Sequence, residues 1–329
     1  MKRPLLLIAA SAASALLCAQ DADLLFASRA QPLLDPSRTG FDPGGRVGLV
    51  QQRQGIQLPG AWSHAALCAD LNLKNRKRQV NSWIGLGLLA AQGSQKATGS
   101  KRSAWGVATA AHLRTGPRSF FSAGLGLLNA SVVYGEAEGT WGSQYDGVHF
   151  LPSRPSGEAW NSANRSTLEA TAGLSFTLKQ EAESPRRREP DMLVAGFAAT
   201  HLAPMLLSES GGRMQPVPVR YTAYLLGELP LPGWDNGFIG ADLIGQLQGP
   251  FLTARANAWI GKRADGSPRP GYKAGLGYRL RDAILACFAA DMGPVTIGLA
   301  YGWAVMGPDK LAKGGRTAEV MVQVRFLEQ

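Results

Sequence analysis

Apolar and polar residues alternate along most of this chain with a period of two, the spacing that sends successive side chains to opposite faces of a β-strand. In STLEATAGLSFTLK, residues 166–179, Leu168, Ala170, Ala172, Leu174, Phe176 and Leu178 form one face, and Thr167, Glu169, Thr171, Ser175 and Thr177 the other. FLTARANAWIGK, from 251, sets Leu252, Ala254, Ala256, Ala258 and Ile260 against Thr253, Arg255 and Asn257. GYKAGLGYRLR, from 271, sets Tyr272, Ala274, Leu276, Tyr278 and Leu280 against Lys273 and Arg279. Marking every such run predicts strands at 44–53, 62–73, 81–92, 102–114, 120–133, 166–179, 191–203, 219–231, 237–248, 251–263, 271–281, 282–293, 295–306 and 317–329, fourteen in all. An even count suits a closed barrel, and closure matters because bare strand edges cannot be left in lipid. The last run alternates Val320, Val322, Val324 and Phe326 and finishes on an aromatic. The expected fold is all-β: a transmembrane antiparallel β-barrel of about 14 strands. A soluble sandwich alternates too, but not usually through fourteen runs with glycine and alanine on the outer face.

Gly116-Pro117, Gly249-Pro250, Gly293-Pro294, Pro232-Gly233 and Asp235-Asn236-Gly237 are turn signals between the runs. With the N-terminus in the periplasm, the long connections at about 135–165 and 204–218 fall outside the cell. The first contains WGSQYDGVHFLPSRPSGEAWNS, residues 141–162. EAESPRRREP, 181–190, falls on the periplasmic side, as a solvated turn or as a dock for an acidic partner.

The chain opens MKRPLLLIAASAASALLCAQ: two cations, an apolar run and small residues up to Ala19, the pattern of a secretory signal peptide over 1–19. Cleavage after Ala19 leaves Gln20 first. Cys18 offers the alternative of an acylated lipoprotein, against which Leu17 stands, where the lipidating peptidase normally wants a small residue. No later stretch has the 18 or so consecutive apolar residues of a spanning helix. Taking Lys2 and Arg3 from the 34 basic residues leaves 32 against 24 acidic, a net +8. These cations are scattered and the chain is exported, so anionic lipid or acidic partners are expected and nucleic acid is not. Cys68 and Cys287 lie far apart without metal-ligand spacing and are expected to be small buried residues.

The inner face collects Asp70, Glu169, Arg220, Glu228, Asp242, Arg255, Lys273, Arg279, Glu319 and Arg325. Opposite charges in a narrow interior pair, because a lone charge there is poorly solvated. A lumen charge network is therefore expected, in a filled barrel rather than a water channel. Residues 20–43 are too apolar for a free tail: Leu24, Leu25, Phe26, Leu33 and Leu34 predict a plug in the barrel mouth, ahead of a barrel over 44–329. The chain contains no G-x-S-x-G, H-E-x-x-H, phosphate loop or C-x-x-C, and its histidines, His64, His112, His149 and His201, are dispersed. His64 and Asp70 share one lumen face without a serine or metal partner. Neither catalysis, metal nor cofactor is expected.

In the long loop, WGSQYDGVHFLPSRPSGE resembles the signature of the PorP/SprF outer-membrane proteins of the Bacteroidetes type IX secretion system. The matching positions are Trp141, Gly142, Gln144, Asp146, Gly147 and Ser156-Gly157-Glu158. SRAQPLLDPSRTG is similar to the family's opening, with Asp35-Pro36 and Gly40 in place, and RVGLVQQRQ, 46–54, to its first strand. THLAP, 200–204, VPVRYTAY, 217–224, the paired strands of YRLRDAILACFAADMGPVTIGLAYGW and TAEVMVQVRF with Glu319 follow in the family's order. The chain departs at Gly302-Trp303, where an aspartate usually follows the tyrosine, and in reading Asp-Pro-Ser for Asn-Pro-Ala. The resemblance implies a non-enzymatic outer-membrane barrel supporting secretion or surface attachment of proteins with C-terminal sorting domains, gliding adhesins among them. It also implies partners in the periplasmic ring and the peptidoglycan-binding parts of the machine. Trp141, Gln144, Tyr145, Asp146, Phe150, Glu158 and Trp160 would then form an extracellular partner-binding loop, with aromatic anchors of the kind that dominate interfaces. The alternative is a channel for small hydrophobic molecules resembling the fatty-acid transporters, which are also fourteen-stranded and plugged.

Overall fold

The computed structural model describes residues 24–26, 30–56, 61–74, 81–95, 99–133, 144, 146, 149, 151, 153–154, 165–180, 191–203, 206–208, 214–264, 270–306 and 315–326. The leader, the charge run at 181–190 and most of the long loop lie outside these residues.

Fourteen strands close into one antiparallel barrel. They are β1 (Gly45–Gln54), β2 (Trp62–Asn72), β3 (Ser82–Gln95), β4 (Ser100–Arg114), β5 (Ser119–Val133), β6 (Arg165–Lys179), β7 (Asp191–Thr200), β10 (Arg220–Pro230), β11 (Gly237–Gln248), β12 (Phe251–Lys262), β13 (Gly271–Arg279), β14 (Ala283–Met292), β15 (Val295–Ala304) and β16 (Arg316–Phe326). Two short strands between β7 and β10, β8 (Leu206–Ser208) and β9 (Met214–Pro216), form a separate hairpin that the alternation did not predict. The wall closes where β1 meets β16, from Gly45 opposite Phe326 to Gln54 opposite Thr317. Neighbours in sequence are neighbours in the wall, so every connection is local. Gly249-Pro250 and Gly293-Pro294 turn the chain in two residues between Gln248 and Phe251 and between Met292 and Val295. Both glycines have positive φ, +56° and +64°, a region closed to most side chains.

The alternation resolves into an outside and an inside. Leu88, Val107, Leu125, Leu168, Leu252, Leu276 and Leu299 are exposed apolar residues, whereas Glu169, Thr171, Asn257, Lys273 and Gln323, from positions between such residues, are buried. On a water-soluble protein so much exposed leucine would be a liability, but facing lipid it is what a spanning strand requires. No helix among the described residues is long and apolar enough to cross a membrane.

The two ends of the barrel differ. Where β1 begins and β16 finishes, the connections are 73–81, 115–118, 180–190, 231–236, 263–270 and 293–294, while the opposite end carries the two longest, 134–164 and 201–219, along with 55–61, 96–99, 249–250, 280–282 and 305–315. Short turns facing the periplasm and longer loops outside are the asymmetry of outer-membrane barrels.

Candidate functional site

The lumen is the concave, polar part of the molecule, and the chain that precedes β1 runs through it. Gln31–Leu34 makes one helical turn and Pro36–Arg38 a 3-10 turn, which the Asp35 side chain caps by accepting the Ser37 N–H at 2.7 Å. Pro32 and Pro36 start these turns at the positions where a missing N–H costs nothing. Asp35, Ser37, Arg38 and Thr39 are almost wholly buried.

Each residue from Asp35 to Phe41 meets the wall. Tyr224 of β10 donates its hydroxyl to Asp35 Oδ2 at 2.7 Å, and Ser37 bonds Ser175 of β6 at 2.8 Å. Arg38 Nη1 donates to Thr177 at 2.6 Å, and its guanidinium lies 4.0 Å from the centre of the Phe41 ring. A ring nitrogen of His112 lies 2.9 Å from the Thr39 carbonyl, the other 2.8 Å from Ser122. Gly40 donates its N–H to Asp70 and accepts from the Trp83 indole. Phe41 completes an aromatic cluster with Trp83, Phe120 and His112 at the periplasmic end.

The strands leave room for this by carrying no side chain where the segment passes. A methyl carbon on Gly85 would lie 1.9 Å from the Thr39 carbonyl oxygen, on Gly124 2.3 Å from the Pro36 carbonyl carbon, and on Gly173 1.9 Å from Asp35 Oδ1. Real contacts of that kind essentially never fall below 3.0 Å. Inward glycines on β3, β5 and β6 thus form a lane on which residues 35–40 lie directly against strand backbone.

Further up the lumen, Glu319 of β16 accepts the Leu25 and Phe26 N–H groups, both at 2.6 Å, and the Gln52 amide at 2.8 Å. Arg255 donates to the Leu24 carbonyl at 2.6 Å. Leu25 and Phe26 are buried against Val50, Leu89, Trp259, Leu285 and Met321, with Phe26 stacked on Trp259. The interior is therefore partly apolar as well as charged, where the alternation had drawn attention only to its charges.

Eight of the ten charged positions assigned to the lumen have defined partners, Glu319 and Arg255 through the bonds above. Asp70 is buried and pairs with Arg46 at 2.6 Å, and buried Glu169 pairs with Arg102 at 3.1 Å and with His201 at 3.0 Å. Glu228 meets Arg263 at 3.4 Å, Arg279 meets Asp282, and Arg325 meets Asp291 at 3.7 Å. Lys273 sits 4.1 Å from the centre of the Trp259 ring; Asp242 is buried on β11; and Arg220 is half-buried on β10. Arg46, Arg102, Arg38 and Asp35 were missed. Arg46 alternates inward on β1 and Arg102 on β4, so the same pattern could have found them; Arg38 and Asp35 lie in a segment without periodicity. Cys68 and Cys287 are buried free thiols.

Of the loop residues, Gln144 and Asp146 are described. Gln144 Nε2 donates to the Arg154 carbonyl at 3.0 Å, and Asp146 Oδ1 accepts the His149 N–H at 2.7 Å, so the two help to fold the loop on itself. Trp141, Tyr145, Phe150, Glu158 and Trp160 lie outside the described residues.

Comparison with known proteins gives a family and a fold. The family described as "Type IX secretion system membrane protein PorP/SprF" matches residues 20–324. No curated protein matches the chain. Among solved structures it is similar to the deltaS2 mutant of the TodX monoaromatic hydrocarbon channel, with 11% identity, 89% of this chain and 92% of that chain covered, and a TM-score of 0.50. The Ralstonia pickettii toluene transporter TbuX gives 13%, 90%, 93% and 0.49, and the β domain of the Bordetella autotransporter BrkA 14%, 86%, 99% and 0.41. At such identities the likeness concerns the barrel alone.

Proposed function

Since the chain belongs to the PorP/SprF family of type IX secretion system membrane proteins, matched over residues 20–324, we propose that it holds a secreted protein at the outer membrane rather than conducting a solute. In this reading it supports secretion or surface attachment of proteins with C-terminal sorting domains, of the gliding-adhesin kind, and has no catalytic role. Residues 20–43 are its plug. The observation that carries the reading is the run of bonds from Asp35 to Gly40, which occupies the lumen with the chain's own backbone. A barrel so filled has a surface to offer and little passage. The loop at 141–162 offers the aromatic anchors for an external partner, and the periplasmic turns face the ring and peptidoglycan-binding parts of the machine.

A channel for small hydrophobic molecules is the competing reading. Such a channel needs a continuous apolar path, whereas here Asp70, Glu169, Arg255 and Glu319 line the same interior as Leu25 and Phe26.

The test is quantitative proteomics of cell surface and medium with and without this gene in its native host. Loss of one or a few proteins with C-terminal sorting domains establishes a dedicated role, and broad loss establishes a general subunit of the machine. An unchanged profile refutes the reading in favour of the channel.

A further inference from the structure

The outer wall of β2–β6 is concave. A depression of about 960 Å³, at the upper end of small-molecule site volumes, is lined by Leu86, Leu88, Val107, Leu125, Leu127 and Leu202, all exposed and outward. It lies behind the glycine lane, on the far side of the wall from the segment.

The strand registers set out what surrounds it. One outward row runs Val47, Ala69, Leu88, Val107, Leu127, Ala170, and the next towards the periplasm runs Gly45, Leu71, Leu86, Thr109, Leu125, Ala172. These two rows carry the trough. One row towards the outside come Leu49, Leu67, Ala90, Trp105, Asn129 and Leu168. Trp105 and Asn129 mark the edge of the apolar band, where aromatic girdles sit. Beyond it every position but Ala65 is polar: Gln51, Ala65, Gln92, Ser103, Ser131, Ser166. The outermost row is Arg53, Ser63, Ser94, Lys101 and the apolar Val133, with Arg53 and Lys101 exposed. At about 4.8 Å per strand the two cations stand roughly 15 Å apart along the wall. The outward positions of these rows hold no carboxylate.

The opposite wall lacks this layering. There the outward residues stay apolar to the last pair before the turn, Leu247 beside Leu252 and Tyr278 beside Ile284. Hydroxyls, amides and cations stacked above an apolar trough therefore set β1–β6 apart from β11–β14, although β16 also ends on an exposed outward cation, Arg316, beside Trp303.

We propose that this face is a binding site for one phosphorylated, multiply acylated glycolipid of the outer leaflet. Acyl chains fill the trough, sugar hydroxyls meet the Gln92, Ser103 and Ser131 row, and the phosphates meet Lys101 and Arg53. The order of the layers matches the order of such a lipid from membrane centre to surface. The long loops at the same end place this row in the outer leaflet.

The test is native mass spectrometry of the full-length protein in detergent, challenged separately with bis-phosphorylated lipid A, its dephosphorylated form and phosphatidylglycerol. One bis-phosphorylated lipid A per barrel should survive detergent exchange, and the other two lipids should not. The double variant Arg53→Gln/Lys101→Gln, and separately Leu125→Trp, which fills the trough, should each lower retention at least tenfold. Leu276→Trp on the opposite wall should leave it unchanged, with heat-modifiable gel mobility confirming that each variant is folded. Equal retention of phosphatidylglycerol or of the dephosphorylated lipid, or no loss in folded double variant, overturns the proposal. So does an equal loss in Leu276→Trp.

Discussion

Replacing Gly85 with alanine should release residues 35–40 from the wall while leaving the barrel folded. The added carbon would lie 1.9 Å from the Thr39 carbonyl oxygen, and an ordinary contact begins near 3.4 Å, so the segment must retreat by about 1.5 Å. Strand backbone itself accepts alanine better than glycine. Three bonds at this point cannot survive the retreat: His112 to the Thr39 carbonyl at 2.9 Å, the Gly40 N–H to Asp70 at 2.6 Å, and the Trp83 indole to the Gly40 carbonyl at 3.2 Å. The two neutral bonds contribute about 1 kcal/mol net each and the one to a charged group about 1.5–3, a loss of about 3.5–5 kcal/mol in all. At 1.4 kcal/mol per tenfold, the undocked population should rise on the order of 100-fold or more. Arg38 is 1% exposed, so trypsin can cut after it only when the segment has left the wall. The assay is the rate of that cleavage, followed by mass spectrometry on folded protein. Gly245→Ala is the control, because its added carbon would meet nothing nearer than 4.0 Å. A folded Gly85→Ala protein cut as slowly as the parent would refute the reasoning.

Two further expectations concern the segment and the loop. Burial raises the Asp35 carboxyl above its ordinary 3.8, outweighing the bonds from Tyr224 and Ser37 that favour its ionised form. A raised value in the docked state means that docking is favoured below 3.8 and that this contribution is lost as pH rises through the docked value. Hydrogen exchange at residues 37–40, corrected for intrinsic rate, should slow on acidification and lose that dependence in Asp35→Asn; loosening in acid would show that the carboxylate is the form that binds. Deleting residues 141–162 should leave gel mobility of the folded barrel intact and abolish retention of the secreted partner at the surface. A deletion strain that keeps its partner at parental levels would exclude the loop as the binding platform.

The strands were legible in the sequence because lipid on one side and a packed polar lumen on the other impose a strict period of two, and boundaries such as 237–248 and 251–263 agree with β11 and β12 almost residue for residue. The inward glycines follow the same period, at Gly85 and Gly87 and at Gly124 and Gly126, but periodicity reports only that a side chain is missing. What fills the space comes from a segment more than forty residues away in sequence, as with Asp35 and Gly173, and no local pattern encodes that contact. The β8–β9 hairpin escaped for a different reason: three-residue strands are too short to establish a period. The trough was invisible because concavity is a property of how five strands curve together.

Glu319 binds the backbone of Leu25 and Phe26 across a separation of 294 and 293 residues, on the strand that also completes the wall. The anchor for residues 25 and 26 therefore sits on the closing strand of the wall. Without β16 those N–H groups have no seat, and a chain lacking Glu319 and the residues after it loses the seam and the anchor together. Joining β16 to β1 and seating Leu25 and Phe26 are thus a single interlock, which ties closure of the wall to filling of the lumen.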